Sequence, residues 1–229
     1  MTDYAIDPPP QVSIAILGQT TRFPVRRIFC VGRNYEAHVR EMGNDTREPP
    51  FFFSKPADAV VENGSEVRYP PATQDLHHEI ELVVAIGRGG TGIAPGAALS
   101  HVWGAGVGVD LTRRDLQAEA KKKGRPWDMA KGFDQSAPMA ALVPLSAAGS
   151  LESGRIWLSV DGKMRQDADL SEMIWPVADC IAHLSGLVAL APGDLIMTGT
   201  PAGVAALAPG AQVHAGIGDL PELSFKLVS

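Results

Sequence analysis

The sequence predicts one strand-rich α+β domain, a mixed antiparallel roll or barrel carrying a few helices. Three observations lead there. Short apolar runs bounded by Gly, Pro, Asn and Asp recur along the chain and outnumber the helical patterns. Gly (24) and Pro (18) are abundant, which favours many turns. Strands and helices do not alternate, so a βαβ repeat with its parallel sheet is not expected. The 229 residues suffice for a sizeable core. No repeat, long linker or low-complexity tract divides them. The simplest division is a tail with one short strand over residues 1–24 and a main domain over 25–229.

The elements follow in order. "VSIAILG" reads as a short strand after a Pro-rich start, and "VRRIFCVG" as a strand ending at Gly32. "RNYEAHVREMG" reads as a short helix stopped at Gly43. "PFFFSKP" is a strand cut off by Pro56, and "ELVVAIG" is a strand by its unbroken apolar run. "GAALSHVWG" is expected to be helical, followed by a glycine-rich strand "AGVGVDLT". "RRDLQAEAKKKG" has the clearest helical pattern, with Thr112 as expected cap, Asp115 three residues on and Gly124 as stop. Then come "MAALVPL", "RIWLSVDG" with its Asp-Gly turn, and "KMRQDA" as strands. "WPVADCIAHLSGLVAL" is a helix with Pro176 near its start. "GDLIMTG", "AQVHAGI" and "LSFKLV" close the chain as strands.

Hydrophobic residues make up 45% and charged residues 20%, the balance of a globular protein with a packed core. A net charge of −6 argues against a nucleic-acid groove, which needs a positive field. The dense basic run at residues 121–125 reads as a solvated helix end. Two cysteines, Cys30 and Cys180, lie in apolar surroundings and are expected as buried thiols, not a disulfide framework. No basic segment followed by an apolar one marks a signal peptide, and no apolar run reaches membrane-spanning length. The expectation is a cytoplasmic protein without a membrane or nucleic-acid partner.

Within "DLHHEIELVVAIG", Glu79 and Glu81 precede a purely apolar run. A strand's period of two puts them on one face. Burying two like charges is costly unless a cation or proton compensates. Either they face water, or they hold a divalent ion with Asp110, which ends "AGVGVD". Three carboxylates suit a hard cation such as Mg2+ or Mn2+. His77 and His78 lack the His-Glu-x-x-His spacing of a zinc hydrolase, so a hydrogen-bonding role is expected for one of them. His38 and Glu41 are three apart on a predicted helix. That spacing suits a surface pair, or a dyad in which the carboxylate orients the imidazole and raises its basicity. Lys131 in "MAKGFDQS" is either a surface lysine or a cation opposing a developing negative charge. Arg33, Ser54 and Lys55 follow apolar runs as further polar candidates. Thr198 and Thr200 lie in a glycine-rich turn, "LIMTGTPAG", that could hold an anionic oxygen. Gly87, Gly89 and Gly92 match G-x-G-x-x-G, but Pro95 and Gly96 delay any helix, so a turn is expected there, not a dinucleotide site.

Together, "CVGRNYEAHVREMG", "LHHEIELVVAIG", "GVGVDLTRRDLQAEAKKKGRPWDMAKGFD" and "GDLIMTGTPAGV" resemble the fumarylacetoacetate hydrolase superfamily from about residue 25 onward. Within it, "EPPFFFSKPADAV" and "YPPATQDLHHEIELVVAIGRG" are most similar to the fumarylpyruvate hydrolases of gentisate degradation. The resemblance implies a β-sandwich roll like the C-terminal domain of that superfamily, with residues 25–229 as catalytic domain, assembled as a homodimer. It implies that Glu79, Glu81 and Asp110 bind Mg2+ or Mn2+, and that His38 and Glu41 form a lid-helix dyad activating water. It implies that Lys131 stabilises negative charge, with Arg33, Ser54, Lys55 and Thr200 lining the substrate pocket. The implied reaction cleaves the carbon–carbon bond of a 2,4-diketo acid, fumarylpyruvate to fumarate and pyruvate, through a pyruvate enolate at the metal. Acylpyruvate hydrolysis, oxaloacetate decarboxylation and related isomerase chemistry are the alternatives on the same site.

Overall fold

The computed structural model describes residues 3–35 and 48–229. The expected helix at "RNYEAHVREMG", with His38 and Glu41, lies outside the described residues. Two large sheets dominate the rest. One runs, in spatial order, through Phe51–Lys55, Arg27–Gly32, Asp194–Met197, Ile80–Ile86, Val102–Val109, Ala137–Met139 and Val60–Glu62, with Val143–Pro144 also paired to Val102–Val109. The other runs through Lys163–Asp169, Arg155–Val160, Gln212–Ile217, Leu223–Val228 and Glu66–Arg68. Most neighbours are antiparallel. Parallel pairs join Asp194–Met197 to Arg27–Gly32, Ala137–Met139 to Val60–Glu62, and Leu223–Val228 to Glu66–Arg68. This is the mixed, strand-rich α+β roll the sequence predicts.

The strand Ile80–Ile86 is buried along its whole length because both its faces are covered. Ile80, Leu82, Val84 and Ile86 belong to the main core, with Ile156, Leu158, Val213 and Phe225 of the second sheet. Val83 and Ala85 point the other way, into a second cluster with Ile28, Cys30, Leu195 and Met197. The N-terminal strands Ser13–Ala15 and Arg22–Pro24 bring Ile14, Ile16 and Phe23 into that second cluster. The unbroken apolar run is thus a period-two strand with two interiors to fill. Cys30 and Cys180 are buried free thiols, as expected.

Among the described residues, the longest helices are Val177–Leu187 and Arg114–Lys123. Gly124 ends the latter in the left-handed conformation (φ 61°), as its sequence position predicts. Thr112 does not cap that helix. The N-cap is Arg113, and Thr112 lies in a two-residue strand paired with Leu76–His77. "GAALSHVWG" is helical only through Pro95–Ala98 and a 3-10 turn to His101; Val102 already opens a strand. The β-branched Val102 and the ladder to Ile80–Ile86 outweigh local helical preference. No helix follows Gly87, Gly89 and Gly92 directly; Gly90 bridges to Leu190 instead. Among the described residues, no helix is long and apolar enough to cross a membrane.

Candidate active site

Ile80 pairs with Val109 across the antiparallel ladder. One step further out, the Asp110 N–H donates to the Glu79 carbonyl at 2.8 Å. Register therefore places Asp110 beside Glu79, and the period of two sets Glu81 on the same side as Glu79. All three carboxylates are buried: Glu79 is 5%, Glu81 2% and Asp110 0% exposed. One oxygen from each lies within 4.8 Å of the others, and among the described residues no imidazole or thiolate belongs to the group.

Among the described residues, three cations stand against these carboxylates. Lys131 ends the one-turn helix Asp128–Lys131, and its Nζ donates to Glu79 Oε2 (2.7 Å), Asp110 Oδ2 (2.6 Å) and Thr112 Oγ1 (2.7 Å). Lys55 Nζ stands 2.8 Å from Asp110 Oδ1 as an ion pair and donates to the carbonyls of Leu111 and Lys131. Arg114 Nη2 donates to Glu79 Oε1 at 2.5 Å, and its Nη1 to Gln117 Oε1 at 2.7 Å. Burial alone would lower the Lys131 pKa. The carboxylates of Asp110 and Glu79 outweigh it and hold the ammonium above its ordinary value. Glu81 is pushed well above the usual carboxylate range by burial, then by the charges of Asp110 and Glu79; Lys131 and the Gly199 N–H pull the other way. A compact, all-oxygen donor set of this kind fits a hard divalent cation, which wants carboxylate ligands and tolerates open positions.

The turn after Asp194–Met197 closes the site. Gly199 donates its N–H to Glu81 Oε2 at 2.7 Å. Its φ of 94° is left-handed, and a Cβ there would lie 2.7 Å from the Asn34 Cβ, so glycine is required twice over. Thr198 is spent on the fold, its N–H and hydroxyl both donating to the Leu82 carbonyl. Thr200 is 3% exposed, faces the cavity, and accepts from Gln166 Nε2 at 2.7 Å. Gln166 Oε1 accepts from the Ile80 N–H and faces His78 Nδ1 at 2.9 Å. Burial drops the His78 pKa to about 4, so the ring is neutral. This is the hydrogen-bonding histidine expected beside the acids.

Above Glu79 and Glu81 lies a narrow cavity of about 30 Å³. Its walls include Phe51, Phe53, Trp127, Arg33, Arg114 and Lys121. Phe51, Phe53 and Trp127 also line a wider groove of about 670 Å³ outside it. Arg33 lies on the wall of this cavity. Ser54 is exposed and lines the wider groove. Lys55, expected on the substrate wall, instead stands behind Asp110 with its side chain fully buried. Arg114, Gln117, Lys121 and Trp127 were not anticipated. The first three share one helical face, at spacings of three and four. That periodicity is visible in the sequence, but Lys121 also opens the basic run at residues 121–125, which reads as a solvated helix end.

The chain belongs to the fumarylacetoacetate hydrolase family, whose C-terminal domain model matches residues 27–228. The resemblance carried by the sequence motifs is borne out, as is the fold it implied. A crystal structure of fumarylpyruvate hydrolase from Pseudomonas aeruginosa, in complex with Mn2+ and pyruvate, matches with a TM-score of 0.97 at 49% identity, over 99% of each chain. A Burkholderia cenocepacia protein provisionally assigned as a fumarylpyruvate hydrolase matches at 57% identity and a TM-score of 0.94, over 100% of this chain and 96% of that one. The mitochondrial oxaloacetate tautomerase FAHD1 of Rattus norvegicus is 41% identical over 202 residues, 88% of this chain and 91% of the relative. The fold is that of this family, and the chain is a hydrolase-like enzyme.

Proposed function

We propose that this protein is a divalent-metal-dependent hydrolase that cleaves the carbon–carbon bond of a 2,4-diketo acid, fumarylpyruvate in the first place, to fumarate and pyruvate. The observation that carries this reading is the buried Glu79–Glu81–Asp110 cluster with Lys131 at its edge, beside a cavity lined by aromatic rings and cations. Similarity to a fumarylpyruvate hydrolase crystallised with Mn2+ and pyruvate supports it. Mn2+ or Mg2+ held by the three carboxylates supplies Lewis acidity toward the oxygens of a 2-oxo acid.

This chain's own groups do the rest. Water adds to the fumaryl-side carbonyl, the carbon–carbon bond breaks, and its electron pair passes to the pyruvoyl fragment, which then takes a proton. Lys131 opposes the negative charge that develops there. Thr200 offers its hydroxyl proton to an anionic oxygen. His38 and Glu41, assigned from spacing and family resemblance alone, take the proton from water. Among the described residues Lys131, Lys55 and Arg114 stand against these acids, and a divalent ion would add further positive charge. That charge suits a doubly anionic substrate. We further propose a homodimer, on the family resemblance.

The relation to the FAHD1 tautomerase favours a second reading, keto–enol or decarboxylation chemistry on oxaloacetate at the same site. Purified protein with Mn2+ or Mg2+ tests both, through turnover of fumarylpyruvate, acetylpyruvate and oxaloacetate. Release of fumarate and pyruvate in equal amounts is the expected result. Turnover of oxaloacetate alone would overturn the hydrolase reading.

A further inference from the structure

Lys121 has no task in bond cleavage, yet it is built into the cavity wall. It follows Gln117 by one helical turn on the face that carries Arg114. It is half-buried, with Nζ 4.9 Å from the centroid of the Trp127 ring. The acid whose field reaches it, Glu79, is already held by Arg114 and Lys131. Burial, then the fields of Arg114 and Arg33, push its pKa down to about 8. A half-buried ammonium beside two guanidinium groups calls for an anion.

Arg33 makes the same case from another element. Its φ of 61° is left-handed, rare for a side chain of this size. The next residue, Asn34, locks that turn, donating to the carbonyls of Trp175 and Thr198 and accepting from the Trp175 N–H. The Arg33 guanidinium lies 5.4 Å from the Phe51 ring centroid and 3.8 Å from the exposed carboxylate of Glu48. Phe51, Phe53 and Trp127 line the same cavity as these cations and the acids, with the first two rings 5.2 and 5.8 Å from Trp127. The result is one cavity lined by carboxylates, aromatic rings and cations, with Arg33 also on the wider groove outside it.

We propose that Lys121 and Arg33 form a subsite for the second, distal carboxylate of the substrate, selecting dicarboxylic 2,4-diketo acids over monocarboxylic ones. This rests on the hydrolase reading above and extends it to substrate choice. The aromatic walls suit a flat conjugated chain, and the two cations suit its far end.

Two measurements on wild type, Lys121→Met and Lys121→Arg test it. The first compares kcat/KM for fumarylpyruvate and for acetylpyruvate, which lacks both the conjugated carbon–carbon double bond and the distal carboxylate. Lys121→Met should lower the fumarylpyruvate value by about 10- to 100-fold and change the acetylpyruvate value less than about threefold, the usual worth of a lost charge-assisted contact. Lys121→Arg should restore most of the preference. In wild type that preference should decline as pH rises through about 8, and in Lys121→Arg it should persist, because kcat/KM reports the free enzyme. Arg33 and Arg114 are common to wild type and Lys121→Arg, and Glu79 and Lys131 act on both substrates, so the comparison isolates residue 121.

The second measurement is calorimetric binding of two unreactive probes to the Mn2+-loaded protein: 2-oxoheptanedioate and 2-oxoheptanoate, with and without the terminal carboxylate. Wild type should prefer the former, and Lys121→Met should not. If wild type cleaves fumarylpyruvate and the variant keeps the same substrate ratio, the subsite is overturned and the hydrolase reading stands. If the probes show the Lys121-dependent preference but no diketo acid is cleaved, the hydrolase reading falls and the anion subsite stands. Equal loss on both substrates and both probes would assign Lys121 to cavity structure, against the proposal.

Discussion

Gln166 Nε2 donates to Thr200 Oγ1 at 2.7 Å, and this bond sets the direction of the threonine hydroxyl. The amide orientation is forced at both ends. Its oxygen faces the Ile80 N–H, which can only donate, and its nitrogen faces the Pro201 carbonyl, which can only accept. Thr200 Oγ1 therefore accepts from Gln166 and keeps its own proton for the cavity. The bond also ties the Lys163–Asp169 strand of one sheet to the turn that ends the Asp194–Met197 strand of the other.

The expected outcome is a coupled pair. Gln166→Leu and Thr200→Val should each raise KM for the diketo acid by roughly tenfold, about 1.4 kcal/mol, with a smaller change in kcat. The double variant should be little worse than either single one, since both remove the same donor. Thr200→Ser should behave as wild type. Additive losses would show that Gln166 acts elsewhere, through the fold alone.

A second expectation concerns the carboxylates. In Glu81→Gln the amide oxygen can still accept from the Gly199 N–H, so the turn should hold. A neutral amide is a poorer ligand for a hard cation. Mn2+ affinity by calorimetry should fall by more than the order of 100-fold that outer-shell changes produce, with the circular dichroism spectrum unchanged. Unaltered Mn2+ affinity would remove Glu81 from the metal site.

Lys131 and His38 should separate by reaction. Lys131→Met deletes the ammonium that bridges Glu79 and Asp110, so hydrolysis of fumarylpyruvate and turnover of oxaloacetate should both suffer. Glu79 would keep Arg114 and Asp110 would keep Lys55, so the cost should stay below about 3–5 kcal/mol, that of breaking a buried pair outright. Mn2+ should then raise the melting temperature of this variant more than that of wild type. His38→Ala should lower hydrolysis by about 10²–10⁴, the worth of a positioned proton transfer, and spare oxaloacetate chemistry. Equal losses in both reactions would deny His38 a role in activating water.

These contrasts show where sequence was informative. Glu79 and Glu81 were legible because a strand has one period, and two acids before an apolar run need a reason. Asp110 was legible as a candidate because it closes a strand, but its place beside Glu79 was not, since that depends on the register that sets Ile80 against Val109. Lys121 was hidden by its neighbours: Lys122 and Lys123 are exposed, while Lys121 shares the inward face of Arg114 and Gln117. Thr112 looked like a helix cap, but its hydroxyl instead accepts from Lys131 and donates to the Asp110 carbonyl. Gln166 gave no signal at all. Its four contacts reach residues 78 to 201, which only the packing of one sheet against the other brings together.

Asp115 should connect stability, pH and the cavity wall. Its Oδ1 accepts from the Thr73 hydroxyl (2.6 Å) and the Leu116 N–H (2.8 Å), and its Oδ2 from the Gln74 N–H (2.9 Å). Burial works to raise its pKa, but these hydrogen bonds together hold it below the ordinary aspartate value. The unfolded chain therefore binds the proton more readily than the folded one. The stabilisation is complete above the unfolded pKa, near 3.8, and is lost as pH falls from there through the lower folded value. Asp115→Asn should cost about 1 kcal/mol at pH 7, a modest figure because the side chain is partly solvated. Urea unfolding should show that gap at pH 7 and pH 5 and show it closing below about pH 4; a gap independent of pH would assign the loss to shape, not charge. The same turn carries the Asp75 carbonyl that accepts the Arg114 N–H at 2.8 Å, at the start of the helix bearing Gln117 and Lys121. Loosening it should therefore also raise KM for a dicarboxylic diketo acid, whereas a helix held in place by its other contacts would leave KM unchanged.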